Sequence, residues 1–237
     1  MRTRTFALMA AAAVSCGAAT CASAAAEGIW IGATATQSLI EAFVLDDGTY
    51  YFLYSLPNSY DIGGMIQGHG TSADGSFETT DAKDFRVGAG SAGSAALSAD
   101  YLPRSSLEGG LSYAFGNTSF TAAYQAVYEQ PASLAAASGT YQGQAGTAAG
   151  VQPVTLTASP GGAISGSASG CTFSGTTTPR GSVNVFDLSI TFDGGGCLFG
   201  TSTLVGFAYY DAATGELLAF APNASRTDSI LFVGTRP

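Results

Sequence analysis

The segment VNVFDLSITFD, residues 183–193, puts Phe186, Leu188, Ile190 and Phe192 on one face and Asp187, Ser189, Thr191 and Asp193 on the other. Alternation with a period of two belongs to a strand that buries one side and wets the other, as in antiparallel sheets. The pattern recurs along the chain, while helical periodicity is nearly absent. FTAAYQAVY (120–128) aligns Phe120, Tyr124 and Tyr128 against Thr121 and Gln125. VLDDGTYYF (44–52) sets Asp47-Gly48 between two apolar runs, a hairpin signal, and TASPGGAIS (157–165) reads as strand, turn and strand.

Such runs number about eight before residue 130 and about eight after residue 138. Many short antiparallel strands joined by tight turns make sandwiches or small barrels, and closure removes the edges that invite aggregation. The sequence therefore predicts an all-β fold of two tandem up-and-down barrels, or sandwiches, of about eight short strands each. Their boundaries are expected at 27–130 and 138–237, with the Ala-rich stretch 131–137 as linker. Both halves open alike, with Gly28-Ile-Trp30-Ile-Gly32 and Gly139-Thr-Tyr141-Gln-Gly143. A single outer-membrane barrel is the alternative, but it needs strands of ~9–11 residues. Several runs are shorter than that, and the closing strand ends in Arg236-Pro237 rather than an aromatic.

Residues 1–26 read as a signal peptide: basic MRTRT, apolar FALMAAAAV, and a small-x-small cleavage site at Ala22–Ala24, with a second at Ala24–Ala26. The mature chain then starts near Ala25 or Glu27. The apolar run is too short to span a bilayer as a helix. In a competing reading Cys16, in AVSCG, is a lipidated lipoprotein terminus, although Ala13 stands where such signals usually carry Leu and Cys21 would be left over. Removing Arg2 and Arg4 from the 8 basic residues leaves 6 against 17 acidic ones, a net charge of −11. Nucleic acid and anionic headgroups repel such a surface.

Cleavage leaves two cysteines, Cys171 and Cys197, each following glycine and preceding an apolar run. In a meander they fall at the same end of the module, two strands apart. Mid-strand that separation is ~9–10 Å, beyond the ~4.4–6.8 Å between Cα atoms that a disulfide spans. A bridge is therefore expected at the barrel mouth, where Gly170 and Gly194–Gly196 let the backbone bend. Export into an oxidising compartment suits it. No C-x-x-C spacing suggests redox chemistry, and no ligand set suggests a metal.

Catalytic signals are sparse, so the chain is expected not to be an enzyme and to need no cofactor. His69 is the single histidine, flanked by Gly68 and Gly70, and no G-x-S-x-G elbow accompanies it. Asp46 and Asp47 fit a hairpin turn, and Asp81 and Asp84 flank Lys83 in what reads as a solvated strand end or loop. Glu41, inside LIEAFVL, either faces water or points into a barrel, where its pKa would rise. Residues 27–130 hold 15 aromatic side chains and 12 acidic ones against 3 basic ones. Trp30, Tyr50, Tyr51, Tyr54 and Tyr60 are the candidate recognition residues, because tyrosine joins an apolar body to a polar tip.

The export signal, the two Gly-x-aromatic-x-Gly openings and the closing strand ILFVGTRP resemble two-module β-barrel surface and periplasmic proteins of Gram-negative bacteria. The transferrin- and factor-H-binding lipoproteins are of this type. That resemblance implies host-protein binding; it carries over no binding residue, and the glycine-rich endings of those families are missing. The expected function is an exported, non-enzymatic cell-envelope protein, periplasmic, secreted or lipid-anchored, that binds another protein or a small apolar ligand. Alternatives are a structural surface protein without a cavity and an unusual hydrolase using His69 or a carboxylate pair.

Overall fold

The computed structural model describes residues 25–236; of the signal peptide expected at 1–26, residues 1–24 with Cys16 lie outside them, while Ala25 and Ala26 lie inside and Ala26 is packed into the first barrel. Strands β1 (Gly28–Thr34), β2 (Leu39–Val44), β3 (Thr49–Ser55), β4 (Ile62–His69), β5 (Thr71–Ala73), β6 (Ser76–Arg86), β7 (Gly93–Leu102), β8 (Ser106–Tyr113) and β9 (Gly116–Gln125) form the first sheet. Each pairs antiparallel with its neighbours, and β9 returns to β1. β4 and β5 lie end to end along one edge of β6, hinged at Gly70, so the ring closes with eight staves. The second sheet is a closed barrel of β10 (Gly139–Thr147), β11 (Gly150–Ala158), β12 (Ala163–Ala168), β13 (Cys171–Pro179), β14 (Phe186–Phe192), β15 (Thr203–Asp211), β16 (Glu216–Pro222) and β17 (Ser229–Thr235). The chain is all-β, with two closed eight-stave antiparallel barrels.

Both barrels close where the first strand crosses the last. A Cβ on Gly32 would lie 1.9 Å from the Thr121 carbonyl oxygen, and one on Gly143 would lie 2.1 Å from that of Val233. The aromatic two residues earlier plugs each barrel in the same way. Trp30 donates its indole N–H to the Ala26 carbonyl at 3.1 Å, and Tyr141 donates its hydroxyl to the Ala137 carbonyl at 2.7 Å; both side chains are buried. In each case the acceptor lies four residues upstream, so the similar openings seen in the sequence have similar structural work.

Local departures from the sequence reading have identifiable causes. Residues 126–129, expected to extend a strand, form a 3₁₀ turn that drops Tyr128 into the junction between the barrels. The 131–137 stretch carries α1 (Leu134–Ala137), whose first turn is capped by Ser133 Oγ accepting from the Ala136 N–H at 3.2 Å. Cys197 does not begin a strand. It sits in the 193–202 loop, which its bridge to Cys171 (Cα–Cα 4.5 Å) pulls over the rim, seating Phe199 against Phe192 at 5.5 Å.

The barrels pack wall to wall through an apolar junction. From the first come Ile29, Phe43, Tyr51, Met65 and Phe85; from the second, Val185, Phe207, Tyr209, Leu218 and Phe220. Tyr51 stacks on Phe207 at 4.2 Å, and Phe85 meets Phe220 edge-on at 5.3 Å. Two arginines of the second barrel clamp the seam. Arg180 holds Asp46, Asp47 and Asp187 at 2.7–2.9 Å, and Arg226 holds Asp81 at 2.9 Å and the Gln67 carbonyl at 2.8 Å.

Glu41 corrects both readings offered for it. Ile40, Ala42 and Val44 take the inner face of β2, so Glu41 points outward with Phe43, and outward here means into the junction. Burial first, then the charges of Glu216 and Asp211, push its pKa from the ordinary 4.5 up to about 7. A carboxyl raised in the folded state favours folding while protonated. That advantage is complete below pH 4.5, shrinks as pH rises toward 7, and becomes a constant cost above it.

Two outcomes are expected. Replacing both Cys171 and Cys197 with serine lowers stability by ~3–4 kcal/mol, from the loop-closure entropy of the bridge, measured by denaturant unfolding under oxidising conditions. E41Q becomes more stable relative to the parent as pH rises from 4.5 to 7, by at most about 3 kcal/mol. Parallel pH–stability curves for the two proteins would contradict the placement of Glu41.

Candidate functional site

Half of the first barrel is filled and half is open. Trp30, Tyr50, Phe77 and Tyr101 pack its interior, and Ala26, fully buried, is held there by its N–H donating to Ser72 Oγ at 3.0 Å. At the opposite end, where loops 35–38, 56–61, 87–92 and 114–115 join the strands, lies a cavity of about 370 Å³. Its floor is Ile40, Phe52, Ile66 and Leu111, and its lip includes Thr36, Ser38, Leu56 and Pro57. Deep inside the second barrel the void is only about 30 Å³, walled by Val154, Leu156, Phe173, Ile190 and Phe232, roughly the room of one water. Its larger spaces, about 200 Å³ at the 193–202 rim and about 580 Å³ against β10–β13, are more open and more polar than the cavity of the first barrel.

A polar group stands in the wall of the open half. Tyr54 donates its hydroxyl to one carboxylate oxygen of Asp84, and Arg86 approaches the other at 3.4 Å. Tyr113 and Thr118 complete this side of the cavity, and the Thr118 hydroxyl is buried without a hydrogen-bond partner. Asp84 is only 4% exposed, which overturns its reading as a solvated strand-end residue. Burial, and after it the Asp84 charge, hold the Tyr54 and Tyr113 phenols well above their usual range, so both remain protonated donors.

The placement of Asp84 and Arg86 depends on a bulge in β6, where the register against β7 shifts between Thr79 and Ala82. Before it Phe77 faces inward; after it Ala82 and Asp84 do, and Phe85 turns outward onto the second barrel. An unbulged β6 would keep Phe77 and Phe85 on one face and expel Asp84, because a one-residue slip exchanges the two faces. Thr80 and Asp81 together stand opposite the single residue Ala96, which makes one residue extra. Asp81 anchors the bulge by accepting from the His69 N–H at 2.9 Å and the Thr79 hydroxyl at 2.8 Å. Small residues opposite complete the site: a Cβ on Gly64 would lie 2.6 Å from the Tyr54 hydroxyl oxygen.

The five aromatic candidates do not form one surface. Trp30 and Tyr50 lie inside the filled half, Tyr51 lies in the junction, and Tyr60 is 91% exposed on the 56–61 loop. Tyr54 alone of the five lines the cavity. Arg86, Tyr113 and Thr118 escaped the sequence reading, and Asp84 entered it only as a solvated residue. The available signal was the lapse of alternation in TTDAKDFR, which breaks the strand pattern two residues before an acid and a base spaced two apart. His69 ends β4 with its side chain at the surface. Among the described residues no group of three or more His, Cys, Asp or Glu side chains is arranged to hold a metal ion, and no helix is long and apolar enough to cross a membrane.

No family model matches the chain, and no curated protein matches it. Among solved structures, a "putative outer membrane protein" of Bacteroides fragilis is 13% identical, aligned over 89% of this chain and 96% of its own, with a TM-score of 0.28. At so loose a superposition, the architecture rests on the strand pairing described above.

Y54F tests the wall group. Losing the hydroxyl that donates to a buried carboxylate is expected to cost about 1.5–3 kcal/mol of stability, measured by urea unfolding; a change below half a kilocalorie would mean that Asp84 is satisfied without it.

Proposed function

We propose that the protein is an exported, non-enzymatic cell-envelope protein whose first barrel binds a small, largely apolar ligand in the open half of its interior. The second barrel serves as its scaffold. The cavity of about 370 Å³ carries the reading. Binding sites are concave, mostly apolar and furnished with a few placed polar groups, and they begin near this size. An apolar floor with Tyr54, Asp84, Arg86 and Tyr113 on one wall answers that description. Export rests on the signal-peptide pattern, and the Cys171–Cys197 bridge suits an oxidising compartment.

The contrast between the barrels supports the division of labour. Both close in the same way, yet the deep interior of the second keeps a void of only about 30 Å³ while the first is packed only at one end. Filling the second half as well would stabilise the first barrel, because unfilled interior forfeits dispersion contacts. Retaining the void fits a site that a ligand fills.

The test uses N-phenyl-1-naphthylamine, a neutral apolar fluorophore. It is expected to bind the mature protein one to one with enhanced emission. T36W, which places bulk at the exposed lip without entering the core, is expected to weaken binding roughly tenfold, a difference of about 1.4 kcal/mol. V205W, on the outer wall of the second barrel, is expected to leave it unchanged. Equal loss in both variants, or none in either, would reject the cavity as the site.

A further inference from the structure

Resting on that reading, we infer that the cavity's ligand class is a single-chain amphiphile with a carboxylate head, its chain on the apolar floor and its head on Arg86. The donors and acceptors of the wall carry this. Asp84 is already supplied: Tyr54 donates to one oxygen and Arg86 faces the other, and its side chain is almost fully buried. It has little acceptor capacity to offer a ligand. Arg86 is the reverse. Its one ion pair uses a single nitrogen, Nη2, at 3.4 Å, and the side chain is 63% exposed.

That distance is long for a charged pair. N–H···O bonds between ions run ~2.7–2.9 Å, the range that Arg180 and Arg226 meet at the barrel junction. Arg86 is thus the cation in this protein's cavity whose planar fork is incompletely used, and a planar carboxylate fits such a fork two-pronged. The Thr118 hydroxyl, buried without a partner on the same cavity wall, adds a donor to a ligand oxygen.

The other end of the ligand is set by the floor and the lip. Ile40, Phe52, Ile66 and Leu111 offer hydrocarbon surface with no polar atom to satisfy. Around the opening, Leu56 is 47% exposed, Tyr60 91%, and Phe115 is fully exposed at the tip of the β8–β9 turn. Loops 35–38 and 56–61 are tied together by the Asn58 N–H donating to the Gln37 carbonyl at 3.0 Å, which gives this lip a fixed shape. An apolar floor reached past Leu56 and Pro57, with one cation on the wall, matches a chain that ends in an acid.

Calorimetric titration with dodecanoate, dodecanol and dodecylamine, each below its micelle or solubility limit, tests the assignment. Dodecanoate is expected to bind one per chain and at least tenfold tighter than dodecanol, with dodecylamine weakest. R86M is expected to bind dodecanoate and dodecanol alike, while R86K, which keeps the charge without the fork, retains part of the preference. Thermal unfolding of both variants establishes that they fold. Dodecanol matching dodecanoate, or dodecylamine exceeding it, would overturn the carboxylate assignment and leave the apolar cavity standing. If none of the three binds and the neutral fluorophore also fails, the cavity reading falls with it.

Discussion

The structure depends on how closely the first and last strands of each barrel can approach. At Gly32 and Gly143, as at Gly175 and Gly206 farther round the second wall, the neighbouring carbonyl oxygen occupies the place where any other residue would carry its Cβ. A side chain there would force the strands apart at the seam, and an unclosed ring leaves two long edges with unpaired backbone groups. Closure in turn allows the plugs. Trp30 and Tyr141, two residues before those glycines, hang into their barrels and tie the upstream segment across the opening. One five-residue pattern thus both seals the wall and stops one end.

Once each ring is closed, its outer wall becomes a surface to be used, and the parity of each strand decides how. Along β2 the inner positions build the first core while Phe43 and Glu41 reach the second barrel. The apolar part of that junction is aromatic, and such contacts add to the area they remove from water. The acidic part opposes it: Glu41, Asp211 and Glu216 meet where burial makes charge expensive. Arg180 and Arg226 offset this elsewhere along the seam by gathering the aspartates of the first barrel.

The cavity arises from the same parity. β6 changes face at its bulge, and with that change an acid and a base enter the barrel while a phenylalanine leaves for the junction. The open half of the first barrel and the aromatic contact with the second are two consequences of one irregularity. The second barrel, whose strands keep a single parity as in Phe186–Phe192, fills itself with side chains instead.

Most strand positions, the two barrels and the rim disulfide were legible in the chain, from signals local to each strand and turn and, for the bridge, from two cysteines 26 residues apart. Alternation repeats every two residues, turns are local, and Cys171 and Cys197 frame a single hairpin. The placement of Glu41, Asp84 and Arg86 was not legible. Glu41 is buried by a strand some 170 residues away, and Asp84 faces inward through a bulge whose anchor, Asp81, bonds to the end of another strand. The five aromatics chosen from composition share a chemistry but are parted by closure into core, junction, cavity and loop. Local periodicity determined what each segment is; only the closed, bulged and paired barrels decided which face of it meets the cavity, the other barrel or water, because facing is a property of register across the sheet.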